Sequence, residues 1–476
     1  MPQDNKKQTQ EVSQDNKKQT QEVKQIVVGL DVGTTKIVAI AAEKLPEGKV
    51  KILGYAHKPS VGIRRGMVEN IVKASETVKA VVEECRQNIE KNVKHTVKIS
   101  SVIVGIAGEH IESTYNQVSL QRQDDENEIQ QSDIDKLAEM AHSMVLKAGE
   151  SILRVIAKDY NIDHSRYNVR DCVGMPGKEI TANFHVITGQ QAQINHLVRC
   201  VELAGLEVED IVLEPIASAE SVLSYDEKEA GTVLVDIGGG TTDIAIMKDH
   251  KIEHTAVIPY GGNMVTNDIV GVCKILERYA EKLKQKFGSC ISNPTYDKEV
   301  ISVPMMDGRP PVEIKHSVLV DVIKARMEEI ISFVNQEIDI SNMRDQLIGG
   351  IALTGGGSSL KGVKELFEFH TGLNTRIGAP DKRLVGNYPE DLKSPIYATA
   401  IGLLLCENTY GFHYSECLRK AKQTPPAKPV VEQSPITPEP TDTKGGKKKD
   451  KEGGKKGGLF QKLIDAVSDP NAGDLK

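Results

Sequence analysis

The sequence has no tryptophan, and 12 tyrosines and 7 phenylalanines are the only large rings among its 476 residues. So few aromatics exclude a base-stacking surface of the kind that holds single-stranded nucleic acid. Basic charge is also short: 60 Lys and Arg against 67 Asp and Glu leave a net charge of -7, which excludes wholesale coating of nucleic acid. Cysteine is sparse and unpatterned. The seven stand at 85, 172, 200, 273, 290, 406 and 417, an odd number with no C-x-x-C pair. A zinc site or a disulfide framework is not expected, and a reducing cytoplasm is. Long apolar runs are missing as well. Tyr397 to Cys406, the most apolar late stretch, has about half the length a membrane span needs. The first 25 residues are polar, so no signal peptide is expected, and the chain reads as soluble without being barred from a membrane surface. Two nucleotide motifs are absent, G-x-x-x-x-G-K-[ST] and a G-x-G-x-x-G at a first strand–helix turn.

What is present is an internal repeat on two scales. Gln3 to Val12 recurs as Gln14 to Val23, and this duplicated polar stretch has too little apolar material to build a core. The larger repeat is structural. Ile26 to Leu30, Asp31-Val32-Gly33-Thr34-Thr35 and Lys36 to Ala42 read as strand, turn and strand, with Lys49 to His57 as a third strand. The same order returns as Val233 to Val235, Asp236-Ile237-Gly238-Gly239-Gly240-Thr241-Thr242, Asp243 to Met247 and Lys251 to Ile258. Apolar spacing predicts helices over 68–91, 133–147, 191–204, 266–287 and 318–340. Lys98 to Ala182 reads as a small α/β insertion that contains the acidic stretch 124–128. Ile351 to Leu353 leads into Thr354-Gly355-Gly356-Gly357-Ser358, followed by a helix from Lys361. After about Tyr410 the composition changes: six of the 20 prolines fall between 425 and 440, then seven lysines stand against Asp450 and Glu452 in 444–456.

The glycine-rich turns have a chemical reading. A tight turn without Cβ atoms can aim several backbone N–H groups at one anion, which makes a phosphate nest. Thr34, Thr35, Thr241 and Thr242 add hydroxyl donors, and Lys36 adds a point charge. Asp31 and Asp236 are unsuited to phosphate itself but suited to Mg2+, which takes oxygen ligands and keeps several waters. Two facing hairpins, each with one Asp, would clamp a Mg-triphosphate between two domains. Gly355 to Gly357, closing a strand before a helix, would let backbone approach the nucleoside.

These motifs resemble those of the actin, sugar kinase and heat-shock chaperone ATPase superfamily. Within it, Val257 to Asn263, Gly308-Arg309-Pro310-Pro311 and Arg376 to Pro380 resemble the FtsA family of bacterial cell-division proteins. The resemblance covers about 25–410. It implies an α/β, actin-like fold of two RNase H-like domains around a nucleotide cleft, the first from 25–97, 183–229 and 381–410, the second from 230–264 and 348–380. It places an inserted subdomain at 98–182 and a second-domain subdomain at 265–347, after a duplicated extension at 1–24. It implies ATP and Mg2+ as ligands and at most a slow ATPase. It sets Gly262 and Asn263 near the phosphates, Glu281 and Lys284 by the ribose and base, Gly355 to Ser358 on the nucleoside side, and Glu214 by the attacking water. Without the resemblance, Glu281 and Lys284 read as an ordinary solvated i,i+3 pair.

At the C-terminus, beyond a linker over 411–456, Leu459, Phe460, Leu463, Ile464 and Val467 share one face of a short helix at 457–469. It is too short to cross a bilayer but suited to lie in the interface beside the lysine cluster. The alternative is docking into a protein groove. The resemblance implies a protein that polymerises with itself on the cytoplasmic side of the inner membrane at the division septum. It would bind the FtsZ tail, recruit later division proteins through the insertion, and take no nucleic acid. The rival is a small-molecule kinase of the same superfamily, which needs a general base and an acceptor pocket in the cleft.

Overall fold

The computed structural model describes residues 26–406, apart from 94–96, 123–127, 296–297, 306–308, 381 and 387. The duplicated N-terminus, most of the 124–128 stretch, Gly308, Cys417, the linker and the helix expected at 457–469 lie outside the described residues.

The chain opens with an antiparallel meander of β1 (Ile26–Val32), β2 (Lys36–Leu45) and β3 (Lys49–Pro59). β1 and β2 are apolar at nearly every position rather than alternately, as strands covered on both faces must be. A small hairpin, β4 (Ile63–Arg64) and β5 (Met67–Val68), leads into α1 (Ile71–Val93). This helix lays Val78, Val81, Cys85 and Ile89 on the sheet at helical spacing. β6 (Ser101–Ile106) then returns parallel to β1.

Next comes a separate antiparallel sheet. It consists of β7 (Ile111–Gln121), β8 (Glu150–Ile162) and β9 (Glu179–Gln190), in the order β7-β9-β8, with α2 (Gln131–His142) after β7. Leu137 and Ala141 of α2 meet Ile180, Phe184 and Val186 in its own small core. The insertion expected at 98–182 is thus displaced at both ends. β6 belongs to the first domain's sheet, and residues 183–190, expected in the first domain, belong to the insertion as the second half of β9, which pairs with β7 and β8. Apolar runs of this length look alike wherever they pair, so sequence alone misassigned both.

After α3 (Gln191–Leu203), β10 (Glu207–Leu213) completes the parallel part of the first sheet beside β6. It runs directly into α4 (Glu214–Val222), started by Pro215, and then α5 (Tyr225–Ala230). The second domain repeats the pattern with β11 (Thr232–Ile237), β12 (Thr242–Lys248) and β13 (Lys251–Ile258). α6 (Gly262–Cys273), α7 (Glu277–Phe287), the hairpin β14 (Val300–Val303) and β15 (Val312–Lys315), and α8 (His316–Ile340) follow. β16 (Gly350–Thr354), α9 (Val363–Thr371) and β17 (Thr375–Ile377) complete it. The single helix expected over 266–287 is two, broken where Lys274 takes a left-handed φ of 55°.

The two main sheets have one topology. β3-β2-β1-β6-β10 corresponds strand for strand to β13-β12-β11-β16-β17, with the same parallel and antiparallel pairings. Even the bulge between the second and third strands recurs, at Ala41/Ala42 and at Ile246/Met247. The first domain is closed from far along the chain: β18 (Leu384–Val385) pairs with β3, and α10 (Ala398–Leu405) packs on β1, β2 and α4.

The α10–α4 crossing leaves no room for a side chain at Gly402, where a Cβ would lie 1.8 Å from the Ala217 carbonyl oxygen. Gly402→Ala is expected to cost about 3 kcal/mol, since backbone cannot yield as a side chain can. Gly271→Ala in α6, with nothing within 4 Å of the new methyl, is expected to stabilise by up to about 1 kcal/mol. Urea midpoints of the two variants check the contrast.

Candidate functional site

The two duplicated hairpins meet tip to tip. The β1–β2 turn carries Gly33, Thr34 and Thr35, and the β11–β12 turn carries Gly238 to Thr241. A Cβ on Gly239 would lie 1.9 Å from Thr35 Oγ1 and one on Gly240 2.9 Å from the Arg65 Cα, so the tips approach closer than side chains at these positions would leave room for. Between and below the tips is a cavity of about 450 Å3. It is lined by Asp31, Gly33, Thr34, Thr35, Lys36, Glu214, Asp236, Gly238, Gly239, Gly240 and Thr241 from the two hairpins and the start of α4. Gly262 and Asn263 from α6, Glu281 and Lys284 from α7, and Gly355, Gly356 and Gly357 after β16 complete the set that sequence had singled out.

Two expected residues do not line it. The Thr242 hydroxyl donates to the Tyr260 carbonyl at 2.8 Å, and the Ser358 hydroxyl donates to the Gly355 carbonyl at 2.7 Å. Both side chains are buried in holding their own turns, and Ser359 faces the cavity in place of Ser358.

Each lining group is held by local structure. Asp236 accepts from the hydroxyls of Ser218 on α4 at 2.6 Å and Thr399 on α10 at 3.2 Å, so two helices of the first domain fix a carboxylate of the second. Gly355 sits against Asp236 with φ of 78°, a backbone conformation glycine adopts without strain. Lys36 Nζ donates to the Ile396 carbonyl at 2.6 Å. The first amides of α6 are tied down as well: Gly262 N donates to Gly238 O at 2.9 Å, and Asn263 N to Gly239 O at 2.8 Å. Glu281 and Lys284 do pair, at 2.7 Å, but not as a solvated surface couple. Lys284 also donates to the Gly262 carbonyl and the Thr266 hydroxyl, both at 2.8 Å, and so pins α7 to the start of α6. Burial raises Glu281, but Lys284 and Thr266 outweigh it and hold its carboxyl below the usual range.

The electrostatics of the cleft are lopsided. Burial, joined by Asp236 and opposed by Lys36, pushes Asp31 up to about 6. Burial also raises Asp236, against Ser218, Lys36 and Thr399. Glu214 is pushed well up, by burial and then by Asp31, Asp243 and Asp236. Asp243 is pushed up too, by burial and by Asp236 and Asp31. Sequence reasoning passed over Asp243, although it closes the second glycine-rich motif and is the cross-strand partner of Asp236. One of its oxygens accepts from Thr241 at 3.1 Å, and the other, Oδ1, is buried without a partner among the described residues. Gly66, Gln285, Lys361 and Thr399 also line the cavity, and nothing in their local sequence marked them.

This donor set suits a hydrated Mg2+ carried by a polyphosphate. Crowded carboxylates with an orphaned oxygen favour a divalent cation. Yet among the described residues no three Asp, Glu, His or Cys side chains make a metal cage alone. Mg2+ keeps several waters and shares its shell with phosphate oxygens, which is what such an incomplete protein set requires.

The raised Asp31 sets a pH dependence. Between about pH 4 and 6 the folded protein holds a proton that the unfolded chain has released, so the stability present at low pH is lost as pH rises through 6. Asp31→Asn removes that loss. It is expected to stabilise the ligand-free protein by up to about 3 kcal/mol at pH 7 and by little at pH 4, read from urea midpoints.

Residues 233–402 match the family model "Cell division protein FtsA", and 108–188 match "SHS2 domain inserted in FTSA". The chain is 37% identical over 381 residues to "Cell division protein FtsA" of Pseudomonas aeruginosa, covering 80% of this chain and 89% of that one. It is 33% identical over 390 residues to the protein of the same name from Escherichia coli, covering 80% and 90%. Among solved structures, the "PilM-PilN type IV pilus biogenesis complex" superposes with a TM-score of 0.57 at 16% identity, over 80% of this chain and 97% of that one.

Proposed function

The chain belongs to the FtsA family of cell division proteins, and on that premise we propose that it binds Mg-ATP in the cleft and polymerises on the inner face of the cytoplasmic membrane. There, at the division septum, it anchors FtsZ filaments by their C-terminal tails and recruits later division proteins. The observation that carries the nucleotide reading is the convergence of two glycine-rich hairpin tips over a group of buried carboxylates, in a cavity of about 450 Å3. That volume falls in the range of small-ligand and cofactor sites.

In this reading the backbone amides and hydroxyls of Thr34, Thr35 and Thr241 hold the phosphates, and Lys36 leaves the Ile396 carbonyl to meet them. Bound Mg2+ supplies charge neutralisation between the phosphates and Asp31, Asp236 and Asp243. Glu214, with a strongly raised carboxyl, orients a water by hydrogen bonding at the start of α4. Gly355 to Gly357 and Ser359 close over the nucleoside opposite Glu281 and Lys284.

Membrane attachment is assigned to the amphipathic segment over 457–469, which lies outside the described residues. Among the described residues no helix is long and apolar enough to cross a membrane. One short amphipathic helix binds weakly, but a polymer that presents many copies gains through effective concentration.

Asp236→Ala is expected to weaken Mg-ATP binding by at least about tenfold, roughly 1.4 kcal/mol, in calorimetry. Unchanged affinity would remove this carboxylate from the site. Deleting 457–476 is expected to release the protein from anionic liposomes in flotation, with nucleotide affinity unaltered. Electron microscopy on a lipid monolayer with ATP is expected to show filaments for the full chain and none for the truncated one.

A further inference from the structure

The inserted subdomain grips the middle of β13, a strand whose C-terminal end leads on to Gly262 and Asn263 in the cleft lining. β13 is the edge strand of the second sheet. At its centre Glu253, His254 and Thr255 are all buried, although all are polar. Their partners come from the insertion. The Tyr115 hydroxyl on β7 lies 3.0 Å from His254 Nδ1, and Ser113 Oγ lies 3.0 Å from Thr255 Oγ1. His185 Nε2 on β9 lies 3.0 Å from the same Thr255 oxygen. Lys158 of β8 pairs with Glu253 at 3.2 Å, and Arg170 pairs with both Glu253 and Asp249, the latter at 3.0 Å. Lys158 also stands 4.7 Å above the Tyr115 ring.

The network reaches beyond the insertion to α8. His254 Nε2 lies 2.9 Å from Glu337 Oε2 on α8, so it donates to that carboxylate. Nδ1 faces the Tyr115 hydroxyl, which also donates to the Glu253 backbone carbonyl at 3.3 Å. Burial, helped by the Lys158 charge, pushes His185 down to about 3. The contact is therefore built largely of hydrogen bonds and ion pairs, with His185 Nδ1 buried without a partner among the described residues and Ile252 of β13 in one apolar cluster with Ile156 and Ile187 of the insertion. Interfaces of that composition resemble transient ones, and their groups are well solvated when the surfaces part.

The other end of β13 leads into the cleft. Past Ile258, the Tyr260 carbonyl accepts from Thr242, and the Gly261 backbone packs so tightly that a Cβ would lie 2.6 Å from Gly238 O. The next two amides hold Gly238 and Gly239. From Thr255 to Gly262 is seven residues, at most about 23 Å of extended chain. A sliding or tilting of β13 at the insertion is transmitted to the turn that carries the second phosphate nest.

We propose that the inserted subdomain is a reversible clamp on β13 that positions the glycine-rich turn at 238–241 and the loop at 259–263, so that docking of the insertion and occupancy of the cleft are linked. Tyr115, Lys158 and Arg170 are positioning residues in a subdomain that contributes no group to the cavity lining. Linkage is reciprocal: whatever draws the insertion away from β13 lowers nucleotide affinity, and nucleotide strengthens the clamp by the same factor. This inference rests on the nucleotide reading of the cleft.

The test uses the full chain and the double variant Tyr115→Phe/Arg170→Gln, with Glu253→Gln as a separate, volume-conserving probe from the β13 side. Amide hydrogen exchange without nucleotide is expected to quicken several-fold at 256–263 in either variant, with α1 and β6 unchanged as evidence of an intact first domain. Mg-ATP affinity is expected to fall several-fold in both. In the parent chain, added Mg-ATP is expected to slow exchange at 113–116 and 183–187. If the parent does not bind Mg-ATP, the cleft reading and the linkage fall together. If it binds while exchange at 256–263 is equal in parent and variants, the clamp alone is overturned.

Discussion

Carboxylates that crowd one another out of water are costly, and this protein gathers four of them where its two sheets meet. Asp31, Glu214, Asp236 and Asp243 all resist ionisation, with burial as the leading cause for each. Lys36 acts on three of the four and is tied to a backbone carbonyl. Charge of this kind is tolerated only where a cation completes it. The glycine-rich turns make sense against the same constraint. They bring backbone N–H groups, rather than more side chains, to the far side of the space the cation would occupy. The hydroxyls of Ser218 and Thr399 hold Asp236 from the other domain, so the acidic group and the relation between the two sheets are fixed together.

Two kinds of packing divide the rest of the molecule. Within each half, nearly continuous apolar strands are covered on both faces, and glycines such as Gly402 let helices cross at backbone contact. Such packing has one arrangement and resists displacement. Where the insertion meets β13, hydrogen bonds and ion pairs hold Glu253, His254 and Thr255. The first kind gives the cleft a rigid frame. The second gives it an adjustable edge.

Much of the site was legible because its chemistry is local. Asp31 to Lys36, Asp236 to Thr241 and Gly355 to Gly357 are runs whose composition has few other uses, and their repetition exposed the duplicated hairpins. What sequence missed depends on partners distant in the chain. Thr242 looks identical to Thr241, but its strand position turns its hydroxyl to the Tyr260 carbonyl. Ser358 and Ser359 differ only in which one the turn after Gly355 buries. Asp243 stood in plain view in the motif, and only cross-strand register sets it opposite Asp236. The ends of the insertion were misplaced because a strand's sequence does not say which sheet it joins. The break at Lys274 falls on a lysine, three residues past Gly271, which itself stays helical in α6.

The late return of β18 and α10 to the first sheet has a bearing on how the protein is made. α10 covers apolar faces of β1, β2 and α4 that leave the ribosome long before it does. At about 5–20 residues per second, those strands wait tens of seconds for their cover. During that time the second domain, whose strands and helices are contiguous from 232 to 377, can fold as a unit beside an unfinished first domain. Synthesis therefore completes the two halves in the reverse of the order in which they begin, and the half that holds Asp31 becomes whole last.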